Sequence, residues 1–566
     1  DVSARDPVVV SASLPRFLTP ADDSRLLLEL VHAQGPAGEM QISVSQSGGV
    51  MLGAVPASVA LAPQGSAQLT VPLRALEVGD HRIEVVLTPP GGTPLRKVLM
   101  MPVRDTDPET AITRQFTLAP GSVFDFDTEV LTGLREGTAS ATLTAGPLAR
   151  FDVPGLLRQL DRYPYGCTEQ ITSGAMPLLY LSSVAQQAGI GGPGAISERV
   201  DAAIARVLSR QSSNGAFGLW RASSGEFWLD AYVTDFLSRA RREGFAVPDQ
   251  AFALALDNLR NRINYAPDFD RGGEDIAYAL LVLAREGAAQ MGDLRYYADT
   301  KSGAFGTPMA VAQLGAALAA YGDPLRADAL FRQAGRLLTA QPAQTGMRAD
   351  FGTSLRDTAA VLTLSAEVGS AALEPATLIA QMQRDGRRLS TQEAAQVVLA
   401  AHALSDPTAL PALAVNGVPA RGPVVRHLTA GSAAATVENL SSQPMDVTLT
   451  AFGVPEVAPE AGGYGYAITR RSFTMDGEEV SGPYTTGERR VVVIEVTPFE
   501  PLGARLMVDD PLPAGLEIDN PNLLNAGDIA NLAWLQTATP EHVEFRADRF
   551  LAAVNHSGTA PFQLAY

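Results

Sequence analysis

Two periodicities divide the chain. Up to about residue 104, apolar and polar positions alternate in short runs set apart by glycine and proline. Residues 8–10 (VVV), 66–73 (SAQLTVPL) and 81–87 (HRIEVVL) are such runs. In the second, Ala67, Leu69, Val71 and Leu73 fall on one face, because successive side chains of a strand point to opposite sides. Turn sequences such as PPGG at 89–92 separate the runs. Residues 1–104 are therefore expected to form an antiparallel β-sandwich. Short strands (RQFTL, SATLTAG) continue from 105 to 151.

From 152 to 407 the period changes to three or four, and the chain becomes rich in alanine and leucine. Residues 226–242 predict a helix with Trp228, Ala231, Tyr232 and Phe236 on one side. Thr307-Pro308 predicts an N-cap followed by proline at the first helical position. Ser390 with Glu393 predicts a capping box. Helical stretches end on Gly244, Gly287, Gly322 and Gly369, since glycine closes a helix at positive φ without penalty. Related loops recur between several of them: SNGAFG at 213–218, KSGAFG at 301–306 and ADFG at 349–352. Imperfect repeats of about 35 to 47 residues, each about two helices long, predict stacked helical hairpins; closed into a ring they give an α/α toroid.

Alternation returns at about 408 (AAATVENL, MDVTLTAFG). A Gly/Pro-rich stretch at 454–465 reads as a linker, and RRVVVIEV and LGARLMV begin a last β domain over 461–566. That domain is still in strand at FQLAY, so the chain is expected to end inside it. The pieces 105–151 and 408–460 are each too small to hold a core alone. They are expected to pair into one sandwich, with 152–407 inserted into a loop of it.

Composition changes little in this picture. The 566 residues predict about three to five domains. With 46% hydrophobic and 18% charged residues the chain is globular. No run of about 18 apolar residues predicts a membrane span. DVSARDPVVV has neither a basic region nor a cleavage site, so any targeting or lipid signal is expected outside this chain. A net charge of -18 argues against nucleic acid, which needs clustered basic side chains. Only Lys97 and Lys301 are lysines among the 43 basic residues. A GC-rich genome accounts for that; so would an amine-reactive group that gains from having few amines nearby. The one cysteine excludes intrachain disulfides and multi-cysteine zinc sites, and no metal or cofactor is expected. A lone cysteine is ordinarily a small buried apolar residue, so its neighbours decide.

Those neighbours are Tyr163-Pro164-Tyr165-Gly166-Cys167-Thr168-Glu169-Gln170, at the entrance of the helical region. Pro164 and Gly166 make the approach irregular, and a helix is expected to begin near Cys167. Cysteine at i and glutamine at i+3 then share one helical face. The thiolate can attack the Gln170 side-chain carbonyl and expel ammonia, leaving an internal thioester. A helix N-terminus is expected to help by lowering the thiol pKa. Such a bond lasts only where water is kept out. Tyr163 and Tyr165 are the candidates for an apolar shield, with ordinary packing as the alternative.

Cys-x-x-Gln spacing alone is weak; the longer string YPYGCTEQ resembles the thioester motif of the α2-macroglobulin and complement superfamily, in its bacterial branch. The stretch 214–236 (NGAFGLW…EFWLDAYVTDF) is similar to the first repeats of that family's thioester domain, and 509–520 (DDPLPAGLEIDN) to its bacterial C-terminal domain. The resemblance implies macroglobulin-like β-sandwiches at 1–104 and 461–566. It also implies a CUB-like β domain (105–151 and 408–460) interrupted by an α/α-toroid thioester domain (152–407). It makes Cys167 and Gln170 the thioester pair and matches Gly166 and Glu169 to motif positions; from its place in the first turn at a helix N-terminus, Glu169 is expected to be a solvated carboxylate rather than a catalytic group. It implies a trap that captures attacking proteases covalently through their lysine amines. That trap would be a periplasmic, inner-membrane lipoprotein and a monomer, with its bait region and anchor outside this chain.

Family members that acylate hydroxyls use a histidine about a hundred residues after the cysteine. Here none lies between Cys167 and His402, so direct reaction with amines is expected. His402 could approach Cys167, though a packed or surface role is the simpler expectation. Competing readings remain. A toroid enzyme would need a metal or carboxylate pair, for which Asp268, Asp270, Glu274 and Asp275 are the candidates. A cysteine hydrolase would need a histidine beside Cys167. A thioester adhesin would use the same bond.

Overall fold

The computed structural model describes residues 6–162, 165–340, 347–382, 388–405, 412–501, 503–519, 529 and 532–566. The chain divides into two compact units. The first comprises residues 1–110, 133–139 and 453–566, the second residues 111–132 and 140–452.

In the first unit, eight strands form two four-stranded antiparallel sheets: β1 (Val8–Ser13), β2 (Asp23–His32), β3 (Gly38–Gln46), β4 (Val50–Leu52), β5 (Ser58–Leu61), β6 (Ser66–Ala75), β7 (Gly79–Thr88) and β8 (Leu95–Val103). Their orders are β1-β2-β6-β4 and β5-β3-β7-β8. The expected face of β6 points inward: Val71 and Leu73 are buried in one core with Leu26 and Leu28 of β2 and with Ile83 and Val85 of β7 in the other sheet.

The second unit draws its sheets from both ends of its sequence. Strands β9 (Thr110–Leu118), β10 (Val123–Phe126) and β11 (Ser140–Ala145) precede the helices. Strands β12 (Leu413–Val415), β13 (Val418–Pro419), β14 (Val424–Thr429), β15 (Ala435–Asn439) and β16 (Met445–Gly453) follow them. β11 lies between β14 and β16, all six of its residues are buried, and β10 pairs with β15.

Between the two sets, the described residues hold thirteen helices: α1 (Val153–Asp161), α2 (Thr168–Ala175), α3 (Ser182–Gln187), α4 (Pro193–Leu208), α5 (Phe227–Arg242), α6 (Asp249–Asn264), α7 (Glu274–Arg285), α8 (Met291–Asp299), α9 (Pro308–Ala320), α10 (Pro324–Ala340), α11 (Ser354–Glu367), α12 (Pro375–Gln381) and α13 (Thr391–Ala403). α5, α7, α9, α11 and α13 pack in succession, and α13 meets α1 and α2, which closes the ring. These inner helices are buried almost all round, whereas α6, α8 and α10 bury only one side. The expected caps are present: Thr307 accepts from Ala310 N, and Ser390 and Glu393 cap reciprocally. The four closing glycines take φ between +67° and +88°. The stretch read as a linker starts more firmly than its composition suggests. Val454 is buried, and its carbonyl accepts from Arg135 N at 2.7 Å.

The last strands of the first unit are β17 (Tyr466–Phe473), β18 (Val491–Pro498), β19 (Ala504–Pro511), β20 (His542–Phe545), β21 (Arg549–His556) and β22 (Phe562–Ala565). They make two three-stranded sheets, β17-β18-β22 and β19-β21-β20, around Ile494, Val496, Phe550 and Leu564.

Candidate functional site

Cys167 is the N-cap of α2, in extended backbone (φ −68°, ψ 162°), and the helix starts at Thr168. Its Sγ accepts from the Gln170 N–H, and Gln170 Oε1 accepts from the Cys167 N–H at 3.1 Å. This is a capping box with sulfur in place of the usual hydroxyl and a carboxamide in place of the usual carboxylate. It brings the two side chains over the same first turn, as the i, i+3 spacing predicts.

Cys167 is buried, with 4% of its surface exposed, and Gln170 is half-buried. The thiol is pushed up rather than down. Burial is the main cause and the charge of Glu169 the next; the backbone N–H groups of Gln170 and Glu169 and the charge of Arg210 act in the opposite direction. The expectation of a lowered thiol pKa fails because it counted the helix N-terminus and not the desolvation. Tyr165 is half-buried and Gly166 buried, while Tyr163 and Pro164 lie outside the described residues.

Glu169 corrects a second expectation. It is not a solvated carboxylate but is 4% exposed. Ser173 Oγ donates to it at 2.6 Å, Gln392 Nε2 at 2.9 Å, and Thr391 Oγ1 lies 3.0 and 3.1 Å from its two oxygens. Ser173 Oγ also meets Tyr232 OH at 2.8 Å. Sequence could not supply this, because Thr391 and Gln392 stand at the opposite end of the helical region.

Thr168 is fully buried and ties the motif to the loop before α5. Its N–H donates to Leu219 O at 2.8 Å and its hydroxyl to Gly218 O at 2.6 Å. Arg210, just past α4, donates through Nη1 to Thr168 Oγ1 (3.1 Å) and Leu219 O (3.0 Å), and through Nη2 to Gly166 O (2.6 Å). The same loop is anchored on Asp230 of α5, which accepts from Phe217 N at 2.7 Å and from Asn258 Nδ2 at 2.9 Å. Burial raises the Asp230 carboxyl to about 6.

His402 stacks on Tyr180 with ring centroids 4.8 Å apart. Glu169 meets α13 at Thr391 and Gln392, and His402 is ten residues further along that helix, about 15 Å at 1.5 Å per residue. The two therefore occupy different ends of α13. His427, in β14, packs against Gly189. Of the carboxylates a toroid enzyme would use, Asp268 pairs with Lys301 at 2.5 Å, and Asp275 accepts from the backbone N–H of Ile276. Among the described residues no group of three His, Cys, Asp or Glu side chains is placed to hold a metal. No helix among them is long and apolar enough to cross a membrane.

Two parts of the chain match family models. Residues 142–262 match the A-macroglobulin TED domain, and residues 465–566 match the Bacterial Alpha-2-macroglobulin MG10 domain. Alpha-2-macroglobulin of Escherichia coli K12 is 31% identical over 99% of this chain, and that of Xylella fastidiosa Temecula1 is 28% identical over 99%. The chain spans about a third of the length of these curated relatives, 36% of each. A structure of Salmonella alpha-2-macroglobulin reacted with methylamine superposes with a TM-score of 0.86 at 32% identity, over 99% of this chain and 38% of that one. A crystal structure of native Escherichia coli alpha-2-macroglobulin, spanning domain MG7 to the C-terminus, gives 0.84 at 30% identity, over 99% of this chain and 93% of that one. With its sandwiches and helical ring matched along almost the whole of that structure, the chain belongs to the bacterial alpha-2-macroglobulin family.

Proposed function

We propose that this chain is the reactive portion of a bacterial protease trap, and that Cys167 and Gln170 form its internal thioester. The observation that carries this reading is the reciprocal cap: one turn of helix holds the sulfur and the carboxamide together in a buried site. Closure joins Cys167 Sγ to the Gln170 side-chain carbonyl carbon, breaks its C–N bond and releases ammonia. Opening by an amine forms an amide at Gln170 and returns the proton to the Cys167 thiol. The Salmonella relative reacted with methylamine supports an amine-reactive centre.

The amines it takes are lysines of an attacking protease. A protease would reach the bond after cutting a segment outside this chain. The α/α toroid is the thioester domain, held by the CUB-like sheets of the second unit. The whole protein is a monomer, held in the periplasm by a lipid anchor. Gly166 and Glu169 shape the motif, of whose sequence Tyr163 and Pro164 are also part, and Tyr165 shields it.

Intact mass tests the bond directly. The native chain is expected to be lighter than its sequence by one ammonia. Methylamine is expected to add to Gln170 and release one titratable thiol. A native mass equal to the sequence, with a freely titrating Cys167, would sink the reading.

A further inference from the structure

A thioester at Cys167 carries an electrostatic cost, and this inference rests on the proposed bond. Both directions of the reaction pass negative charge through sulfur, which attacks in closure and departs in opening. Burial and Glu169 disfavour a thiolate at Cys167. Direct aminolysis without a histidine therefore needs something fixed that favours the leaving sulfur.

The charged and titratable groups around Cys167 come from three elements. Glu169 is on α2 itself. Arg206 and Arg210 come from the end of α4, with Arg210 the cation that acts on the thiol; α5 presents Tyr232, bonded to Ser173, and α13 presents Thr391 and Gln392 to Glu169, while its own Glu393 is held by Ser390 and Thr353. Arg206 is exposed, and its guanidinium lies where a Cβ on Gly166 would stand. Arg210 is 9% exposed, and its fork is bonded to the residues immediately before and after the cysteine, Gly166 O at 2.6 Å and Thr168 Oγ1 at 3.1 Å. A planar guanidinium held at both nitrogens keeps a fixed position, and its charge is little screened by water.

We propose that Arg210 is the positioning residue of the thioester: it locks the segment 166–168 in which the bond forms and opens, and it supplies the buried positive charge that favours the departing Cys167 sulfur. Glu169 and Arg210 then act as a matched pair of opposite sign. The carboxylate ties α2 to α13, and the guanidinium ties the motif to α4 and to the loop at Leu219.

The test compares the parent chain with Arg210→Gln, which keeps a donor for Gly166 O and loses the charge. Two readouts are taken. One is the rate of methylamine addition by intact mass; the other is the rate at which iodoacetamide alkylates the released Cys167 thiol at a fixed pH of about 8, which follows its thiolate fraction. Arg210→Gln is expected to be about tenfold slower in both. A loss of packing alone would lower thermal stability and expose the thiol, so alkylation would not slow. An unchanged rate in either assay overturns the proposal. Should Arg210→Gln not fold, Arg210→Lys is read by the same assays. It keeps the charge, so alkylation is expected to stay within about threefold of the parent, and a slowing beyond that overturns the proposal. A parent chain with no mass deficit and no methylamine reaction would instead refute the thioester reading itself.

Discussion

Thr391 Oγ1 lies 3.0 Å from Glu169 Oε1, a bond between the first turn of α2 and the first turn of α13. It closes the helical ring on one of the two residues between Cys167 and Gln170. The seam of the toroid and the reactive motif thus share one buried carboxylate.

Glu169→Ala should show this. It removes the buried acceptor shared by Ser173, Thr391 and Gln392, leaving Ser173 and Gln392 only their bonds to Tyr232 and to each other. The expected cost is about 3 kcal/mol of unfolding free energy, read by denaturant titration. A second expected effect is on the motif, with thioester closure incomplete by intact mass. A change under about 0.5 kcal/mol, as at a solvated surface carboxylate, would contradict the buried network.

Local features were legible in the sequence, because their causes are local. Ser390 and Glu393, Thr307 and Pro308, and the closing glycines sit at caps whose partners are within four residues. The Cys167–Gln170 box is of the same kind. What the sequence hid depends on distant neighbours. Glu169 reads as an exposed first-turn acid until α13 arrives 222 residues later. Arg210 gives no signal at all: it is one arginine among many, and only the fold sets it between Gly166 and Thr168. The direction of the thiol's shift is hidden for the same reason, since desolvation is a property of the packed ring and not of a motif.

Asp230 predicts a pH signature for the loop that holds Thr168. Its carboxyl rises from 3.8 to about 6, mainly through burial, with the bonds from Phe217 and Asn258 opposing. The native state therefore binds its proton more tightly than the unfolded chain does. Its contribution to stability is fully present below about pH 4 and is lost as the pH rises through 6, amounting to about 3 kcal/mol. Asp230→Asn cannot ionise, and Asn258 can turn its amide to pair with it. The difference in unfolding free energy between Asp230→Asn and the parent should accordingly grow in favour of the variant between pH 4 and 7. Parallel profiles over that range would contradict an uncharged preference at Asp230.

Gly215 tests whether the loop itself sets the motif. Its φ is +89°, and a Cβ there would stand 2.1 Å from the backbone carbonyl oxygen of Leu254 in α6. Neither the left-handed backbone nor the carbonyl can yield cheaply, since Leu254 is fixed in the helix. Gly215→Ala should therefore push the 212–219 loop away from α6 and cost about 3 kcal/mol. The loop offers Gly218 O and Leu219 O to Thr168, and Leu219 O to Arg210. Displacing it should loosen the cap that pairs Cys167 with Gln170, so the variant is expected to fold with a lowered melting temperature and a smaller fraction of thioester by mass. Gly225→Ala, placed where a Cβ meets nothing within 4 Å, is the matching control and should change neither quantity. If the two variants behave alike, the loop is a spectator, and the order at Cys167 comes from α4 and α13 alone.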